Sequence, residues 1–76
     1  MTKYKATVMH HSISQGEHID VGDNLLTAKR RATARFGAGF TDHMIVIWDT
    51  SISEYPTDRD AWVCTKLVNG KWRAYK

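Results

Sequence analysis

The chain has 76 residues and a formal net charge of +3, a length that suits one domain and leaves little space for a deep catalytic cavity. Hydrophobic residues make up 42% and charged residues 25%, a globular composition that excludes a largely disordered chain. Acidic and basic side chains are interleaved, so the sequence holds no basic tail. We therefore expect one domain over residues 1–76 that binds through its outer surface.

The cysteine count and the hydropathy indicate a cellular compartment. Cys64 is the only cysteine, so the chain cannot form an internal disulfide, and a single thiol is typical of a reducing compartment. The first ten residues lack the apolar run of a signal peptide, and no stretch approaches the roughly 20 apolar residues of a membrane span. We expect a cytoplasmic protein without a membrane partner.

Two short strands are predicted at the start of the chain. Residues 3–11 alternate between two faces, which is the period of a half-buried strand. Residues 12–16 form a turn cluster, and residues 17–21 form a second short strand that Gly22 ends. The two strands are expected to pair as a hairpin.

One amphipathic helix is predicted over residues 23–37, DNLLTAKRRATARFG. Asp23 suits the N-cap, because its carboxylate can accept from the free amides of the first turn. Gly37 suits the C′ position, which favours a positive φ. At about 100° per residue, four apolar side chains share one inward stripe: Leu25, Ala28, Ala32 and Phe36. Two alanines in that stripe predict a close approach of the helix to a sheet.

Three strands are expected after the helix. Residues 44–48, MIVIW, are apolar on both faces, which is typical of a central strand covered on both sides. Residues 50–60 form a long connection in which 52–55 could add a short edge strand. Residues 61–68 and 71–76 complete the sheet. The predicted fold is α+β, with one α-helix packed on a small antiparallel sheet in the order β-β-α-β-β-β.

The last two strands are joined by Asn69-Gly70, a dipeptide that favours a two-residue type I′ turn. This turn predicts a register with Leu67 opposite Trp72 and Cys64 opposite Tyr75. The predicted core face beneath the helix then carries Ala61, Val63, Thr65, Leu67, Trp72 and Ala74. The predicted open sheet face brings aromatic rings and cations together: Trp62, Lys66, Lys71, Arg73 and Tyr75.

The open sheet face has three interpretations. Trp, Tyr and Arg dominate protein-binding hot spots, so a protein partner is one of them. Aromatic rings beside cations also stack bases and neutralise phosphates, so a nucleic acid is the second. A solvated face held by cross-strand pairs is the third.

The helix offers a second candidate surface through four cations, Lys29, Arg30, Arg31 and Arg35. Arg31 and Arg35 are neighbours at i, i+4, whereas Arg30 lies about 100° from Arg31 and Lys29 is on the opposite flank. This spread favours a solvated face, in which late cations suit the helix dipole, over a helix docked in a nucleic-acid groove. An acidic protein partner is the next interpretation, with Arg31 and Arg35 as its candidate residues.

No residue pattern indicates catalysis, a cofactor or a metal. The four histidines, His10, His11, His18 and His43, lack the spacings of a zinc site. Cys64 has no triad, and no two carboxylates are paired at a defined separation. Residues 37–39, GAG, follow a helix instead of preceding one, unlike a phosphate loop. We expect a protein that is not an enzyme and holds no metal or cofactor.

The run LLTAKRRATARFG, after a hairpin and before an apolar strand, resembles small phage and mobile-element proteins with one helix on an antiparallel sheet. Some type I anti-CRISPR inhibitors are similar. The resemblance covers most of the chain in element order and, in residues, Ala28-Lys29 and the apolar helix stripe. It implies a non-enzymatic inhibitor that docks on a larger host complex, in the host cytosol.

Acidic mimicry of nucleic acid is common among such inhibitors, and the net charge of +3 departs from it. A basic face that competes for an acidic or nucleic-acid-adjacent surface fits better. The alternative function is nucleic-acid binding through the sheet face or the basic helix. The two-sided apolar strand over residues 44–48 also permits a homodimer.

Overall fold

The computed structural model describes residues 3–10, 13–14, 18–36, 44–67 and 70–75. The elements of these residues, in chain order, are β1 (Tyr4–His10), β2 (Ile13–Ser14), β3 (Ile19–Gly22), α1 (Leu25–Phe36), β4 (Met44–Asp49), β5 (Trp62–Leu67) and β6 (Arg73–Ala74). A 3₁₀ turn over Arg59–Ala61 leads into β5. Helix α1 is the longest helix, and none among the described residues is long and apolar enough to cross a membrane.

All the strands belong to one antiparallel sheet, with β1 and β4 at its centre. β2 and β3 both pair with the edge of β1 that faces away from β4, so they share one strand position. β5 and β6 extend the sheet beyond β4. The predicted α+β fold, one helix on a small antiparallel sheet, is confirmed. The expected turn at residues 12–16 is wrong at two positions, because Ile13 and Ser14 pair with β1.

β4 separates two hydrophobic clusters, which explains why its sequence is apolar throughout. Ile45 and Ile47 face the helix, and Val46 and Trp48 face the opposite side. The helix-side cluster also contains Ala6, Val8, Val21, Ala28, Ala32, Phe36 and Cys64. The opposite cluster also contains Met9, Ala61 and Trp62. The prediction of a central strand covered on both sides is confirmed, since all four of these β4 side chains are buried.

Helix α1 packs as its apolar stripe predicted. Ala28, Ala32 and Phe36 are buried in the helix-side cluster, and Leu25 is half-buried against it. The alanines lack long side chains, so the helix backbone lies close to the sheet, as expected. Gly37, the predicted C′ residue, lies outside the described residues.

The helix begins one residue later than the sequence suggested. Asn24 is the N-cap, because its Oδ1 accepts from the amide of Thr27 at 3.1 Å and its carbonyl accepts from Ala28 at 2.8 Å. Asp23, the predicted cap, instead accepts from the backbone amide of Lys3 at 2.6 Å. Its carboxylate therefore ties the start of β1 to the start of the helix.

The register of the β5–β6 hairpin differs from the prediction by one residue. Cys64 pairs with Ala74 and Thr65 with Arg73, whereas the Asn-Gly turn predicted Cys64 opposite Tyr75. The amide of Gly70 donates to the carbonyl of Leu67 at 2.8 Å. The last residue of β5 thus accepts from Gly70, one of the two residues that the sequence placed at the centre of the turn.

A bulge in β5 places Trp62 and Cys64 on opposite faces of the sheet. Ile47 pairs with Cys64 but Trp48 pairs with Trp62, so Val63 is the extra residue. Cys64 therefore lies in the helix-side cluster and Trp62 in the opposite one. Thr65 and Leu67 pair with Val46 and Met44, which face away from the helix, so the predicted core face of β5 is wrong. Leu67, expected in the core, is 66% exposed.

The connection between β4 and β5 folds back onto the cluster opposite the helix. Asp49 turns the chain, because its carboxylate accepts from the amide and hydroxyl of Ser51 at 2.9 and 2.6 Å. Pro56 is buried, and its carbonyl accepts the indole N–H of Trp62 at 2.6 Å. Residues 52–55 are not a strand, which corrects the suggested edge strand.

Candidate binding groove between helix and hairpin

A groove of about 640 Å³ lies between α1 and the β5–β6 hairpin. The helix packs on β3, β1 and β4, and it leaves the helix-facing side of the last two strands beyond its edge. One hydrogen-bond relay crosses this gap. The indole N–H of Trp72 donates to the Thr33 hydroxyl at 3.2 Å, and that hydroxyl donates to the Lys29 carbonyl at 2.8 Å. The relay fixes the hairpin against the helix at the base of the groove.

The groove has an apolar floor and a cationic rim. Leu26, which is 60% exposed, Ala34 and the half-buried Trp72 supply the floor. The rim consists of Lys29 and Arg30 from the helix and Lys66 and Lys71 from the hairpin. None of the described residues that line the groove carries a carboxylate.

The helix side of the groove follows from residue spacing. Positions 26, 29, 30, 33 and 34 recur three and four residues apart, so they form a second stripe of the helix beside the inward one. This stripe combines an exposed leucine, two cations and two small residues. A helix whose second stripe is neither buried nor uniformly polar has a surface that suits a binding partner.

The positive charge of the rim contrasts with the other end of the sheet. There Lys3 lies 4.0 Å from a carboxylate oxygen of Asp49, and Lys5 lies 3.8 Å from one of Asp20. The hydrogen bonds from Ser51 and the nearby Lys3 lower the pKa of Asp49, against an opposing effect of burial. Acids and bases alternate at that end, whereas the charged side chains among the described residues that line the groove are all cations.

Cys64 lies on the helix side of β5 and is buried. Burial raises the pKa of its thiol to about 11, with the charge of Lys29 acting in the opposite direction. The thiol is therefore protonated at neutral pH, and the thiolate is the form that attacks electrophiles and binds metals.

The predicted open sheet face is not open at Trp62. This side chain is only 4% exposed, and its ring packs edge-on against Tyr75 at 4.9 Å between centroids. The Arg59 guanidinium lies 5.4 Å from the centre of the Trp62 ring. Trp62 is thus a core residue of the opposite cluster, because the Val63 bulge turns it towards Pro56, and the expectation of an exposed anchor there is wrong.

The five residues of the predicted face do not share one surface. Lys66 lies on the helix side and lines the groove, since its β4 partner is the helix-facing Ile45. Arg73 lies on the opposite side, in a hollow of about 200 Å³ that also contacts Lys66 and Lys71. Tyr75 is on that opposite side as well, against Trp62. Lys71 borders both spaces at the end of the hairpin.

The two helix cations selected from the sequence lie outside the groove. The Arg31 guanidinium packs against Gly22, which has a φ of +92°. One guanidinium nitrogen lies 3.3 Å from the position that a Cβ atom on Gly22 would occupy. Arg35 lies over the ring of Phe36 at 5.6 Å. The structure instead brings Lys29 and Arg30 towards Lys66 and Lys71. Sequence reasoning missed this pairing, although the exposed Leu26 beside the inward stripe was a usable signal.

The predictions about metals and cofactors concern residues on both sides of the described boundary. Among the described residues, no three His, Cys, Asp or Glu side chains are close enough together to hold a metal ion. His11 and His43 lie outside those residues, so the expectation of no metal and no cofactor stays a prediction. The participation of Arg31, Arg35, Arg73 and Tyr75 in binding also stays a prediction.

No protein-family model, curated protein or solved structure matches this chain.

Proposed function

We propose that the protein is a non-enzymatic interaction module that binds an acidic protein partner through the helix–hairpin groove. One observation carries the proposal, namely that Lys29, Arg30, Lys66 and Lys71 surround an apolar floor without a carboxylate among the described lining residues. Burial of the floor would supply affinity, and the cations would steer an acidic partner and fix its orientation.

A protein partner suits this floor better than a nucleic acid does. Binding to single strands relies on aromatic rings that are free to stack on bases. The described lining residues include one aromatic ring, that of Trp72, and its indole N–H is hydrogen-bonded to Thr33. Leu26 and Ala34 present aliphatic surface, which an apolar side chain of a protein can cover.

In a cell, the module would be a phage or mobile-element inhibitor that docks on a host complex. The order of a hairpin, one helix and a meander supports this proposal, as does a basic groove that would occupy an acidic surface of that complex. The cytosol is the proposed compartment, because the chain has a single cysteine and cannot form an internal disulfide.

The second candidate is a nucleic acid that wraps around the end of the hairpin. Lys66 and Lys71 border both the groove and the hollow that holds Arg73, so a phosphate backbone could contact cations on both sides of the sheet. Such binding would show a log–log salt slope of about −0.7 to −0.9 for each phosphate contact.

The test compares two adjacent arginines of the same helix. Arg30 lines the groove and Arg31 packs against Gly22 on another flank, and both are exposed. Arg30→Glu and Arg31→Glu change the net charge equally. The immobilised protein and both variants are incubated with host lysate, with and without nuclease, after thermal unfolding has shown that all three are folded.

We expect a captured protein that survives nuclease treatment, is lost with Arg30→Glu and is retained with Arg31→Glu. Loss of all capture after nuclease, with a steep salt slope, would instead establish the nucleic-acid candidate. Loss with Arg31→Glu alone would move the binding surface to the flank of the helix that the sequence indicated.

A further inference from the structure

We infer that the groove binds an amphipathic α-helix of the partner, with an apolar stripe and acidic side chains on both flanks. This inference rests on the proposed function, and it specifies the chemistry and shape of the occupant. It follows from the width of the sheet beyond α1, the residues of the second helix stripe and the distribution of charge.

The part of the sheet beyond α1 has the width of one helix, and on its helix side Cys64 is already buried while Trp72 is half-buried. Helix α1 packs on β3, β1 and β4, and β5 and β6 extend past it. Two strands at a spacing of ~4.8 Å make a strip about 10 Å wide, and a helix with its side chains is ~10–12 Å across. A second helix laid beside α1 would complete the upper layer of the two-layer fold.

The surface of α1 that faces this strip permits close helix packing. Thr33 and Ala34 are small, and Leu26 projects from the same stripe about two turns earlier. Small residues let a partner helix approach the backbone, and the leucine can enter a space between its side chains. An amphipathic helix in a groove is a recurrent mode of peptide recognition.

The charges define the flanks of the occupant. Lys29 and Arg30 border one side of the groove, and Lys66 and Lys71 border the other. An occupant with an apolar stripe seated on Trp72 would therefore meet cations on both sides. Glutamates or aspartates on its two flanks match this arrangement.

The charge pattern disfavours two other occupants. A second copy of this chain would present α1, whose twelve residues include four cations and no carboxylate, so like charges would face each other. An added β-strand would pair with β6, which offers only two residues, Arg73–Ala74. A homodimer through another surface is a separate prediction.

The test uses two synthetic peptides of about 14 residues, long enough for more than three helical turns. One peptide places leucines at i, i+3, i+4 and i+7 between glutamate flanks. The other has the same composition in an order without an apolar stripe. Trp72 reports binding by fluorescence, because it is half-buried at the groove while Trp48 and Trp62 are buried on the opposite side. Circular dichroism reports the helicity of the bound peptide.

We expect the amphipathic peptide to bind at least about tenfold more tightly than its reordered control, and to gain helicity on binding. Arg30→Glu should weaken its binding about tenfold, whereas Arg31→Glu should leave it within about twofold. Ala34→Phe, which fills the groove without a change of charge, should also weaken it.

The other possible results distinguish a failure of this inference from a failure of the proposed function. Equal binding of the two peptides, or full binding to Ala34→Phe, would overturn the helix in the groove. If the captured host protein still depended on Arg30 in that case, the proposed function would stand without this inference. If neither the peptides nor the host protein depended on Arg30, both would fail. Binding of a single-stranded oligonucleotide in place of the peptide would likewise refute both.

Discussion

The hydroxyl of Thr33 accepts the indole N–H of Trp72 at 3.2 Å while it donates to the carbonyl of Lys29 at 2.8 Å. A threonine hydroxyl has one proton and two lone pairs, so this arrangement uses it both as a donor and as an acceptor. The relay links the helix to the last hairpin through the side chains of Thr33 and Trp72, and it forms the base of the groove.

Replacement of Thr33 by valine keeps the shape of the side chain and removes the relay. We expect Thr33→Val to lower the free energy of unfolding by about 0.5–1.5 kcal/mol, the usual net value of one hydrogen bond. The fluorescence of Trp72 should shift as well, because its indole loses its protein partner. Urea unfolding measures the first effect. Thr27→Val is the control, a half-buried threonine of the same helix outside the relay, and equal losses in both variants would argue against the relay.

Trp62 should behave as a core residue and not as a binding anchor. It is buried, it donates to the Pro56 carbonyl at 2.6 Å, and it packs on Tyr75. Trp62→Ala should therefore cost about 3–5 kcal/mol of stability. Tyr75→Ala should cost clearly less, because Tyr75 is 41% exposed. Thermal and urea unfolding give both values, and a Trp62→Ala protein with wild-type stability would restore the exposed-anchor interpretation.

Enlarging the alanines beneath the helix should destabilise the fold. Ala28 and Ala32 are buried against the sheet, and extra methylenes in a tightly packed layer cost typically ~1–3 kcal/mol. Ala28→Leu and Ala32→Leu should each lower the urea midpoint. Ala34→Leu is the matched control, because Ala34 is exposed on the same helix. A midpoint that moves as much for Ala34→Leu as for the other two would place the packed stripe elsewhere.

The stability of the protein should fall at high pH in part through Cys64. The pKa of its thiol is raised by burial from 9.0 to about 11, so between these values the unfolded chain releases a proton that the folded chain keeps. The contribution is complete below about pH 9 and is lost as the pH rises towards 11. Cys64→Ala should lose less stability than the wild type over this interval in urea unfolding. Parallel pH profiles for the two proteins would show that the thiol makes no such contribution.

The features that could be predicted from the sequence depend on local periodicity. The apolar run MIVIW indicated the doubly covered β4, and the spacing of Leu25, Ala28, Ala32 and Phe36 indicated the buried helix face. Each signal lies within a few turns or one strand, where side-chain direction follows from the backbone period. The sequence predicted Asp23 as the N-cap, and the structure has Asn24, because two good capping residues are adjacent. The hydrogen bond from Lys3 that engages Asp23 joins residues 20 positions apart, so no local pattern predicts it.

The hairpin register and the groove depend on distant contacts. The Asn-Gly dipeptide favours a two-residue turn, but the ladder to β4 and the packing of Trp62 on Pro56 select a bulged β5 and a register shifted by one. The groove joins Thr33 to Trp72 across 39 positions, so no local pattern could align Arg30 with Lys71. Charge and composition therefore suggested a binding protein, and the tertiary contacts determined which cations converge.

The central position of β1 has a consequence for synthesis of the chain. β1 pairs with β4, and the Thr50 hydroxyl donates to the Lys3 carbonyl across 47 positions. Until β4 leaves the ribosome, β1 can pair with β2 and β3 and pack against α1, but the edge of β1 that pairs with β4 has no partner strand. β1 is thus made before β4, its partner at the centre of the sheet. The ribosome must extend the chain past Asp49 before Met9 can be covered, so the nascent protein presents an apolar strand with one unpaired edge to chaperones and to other nascent chains.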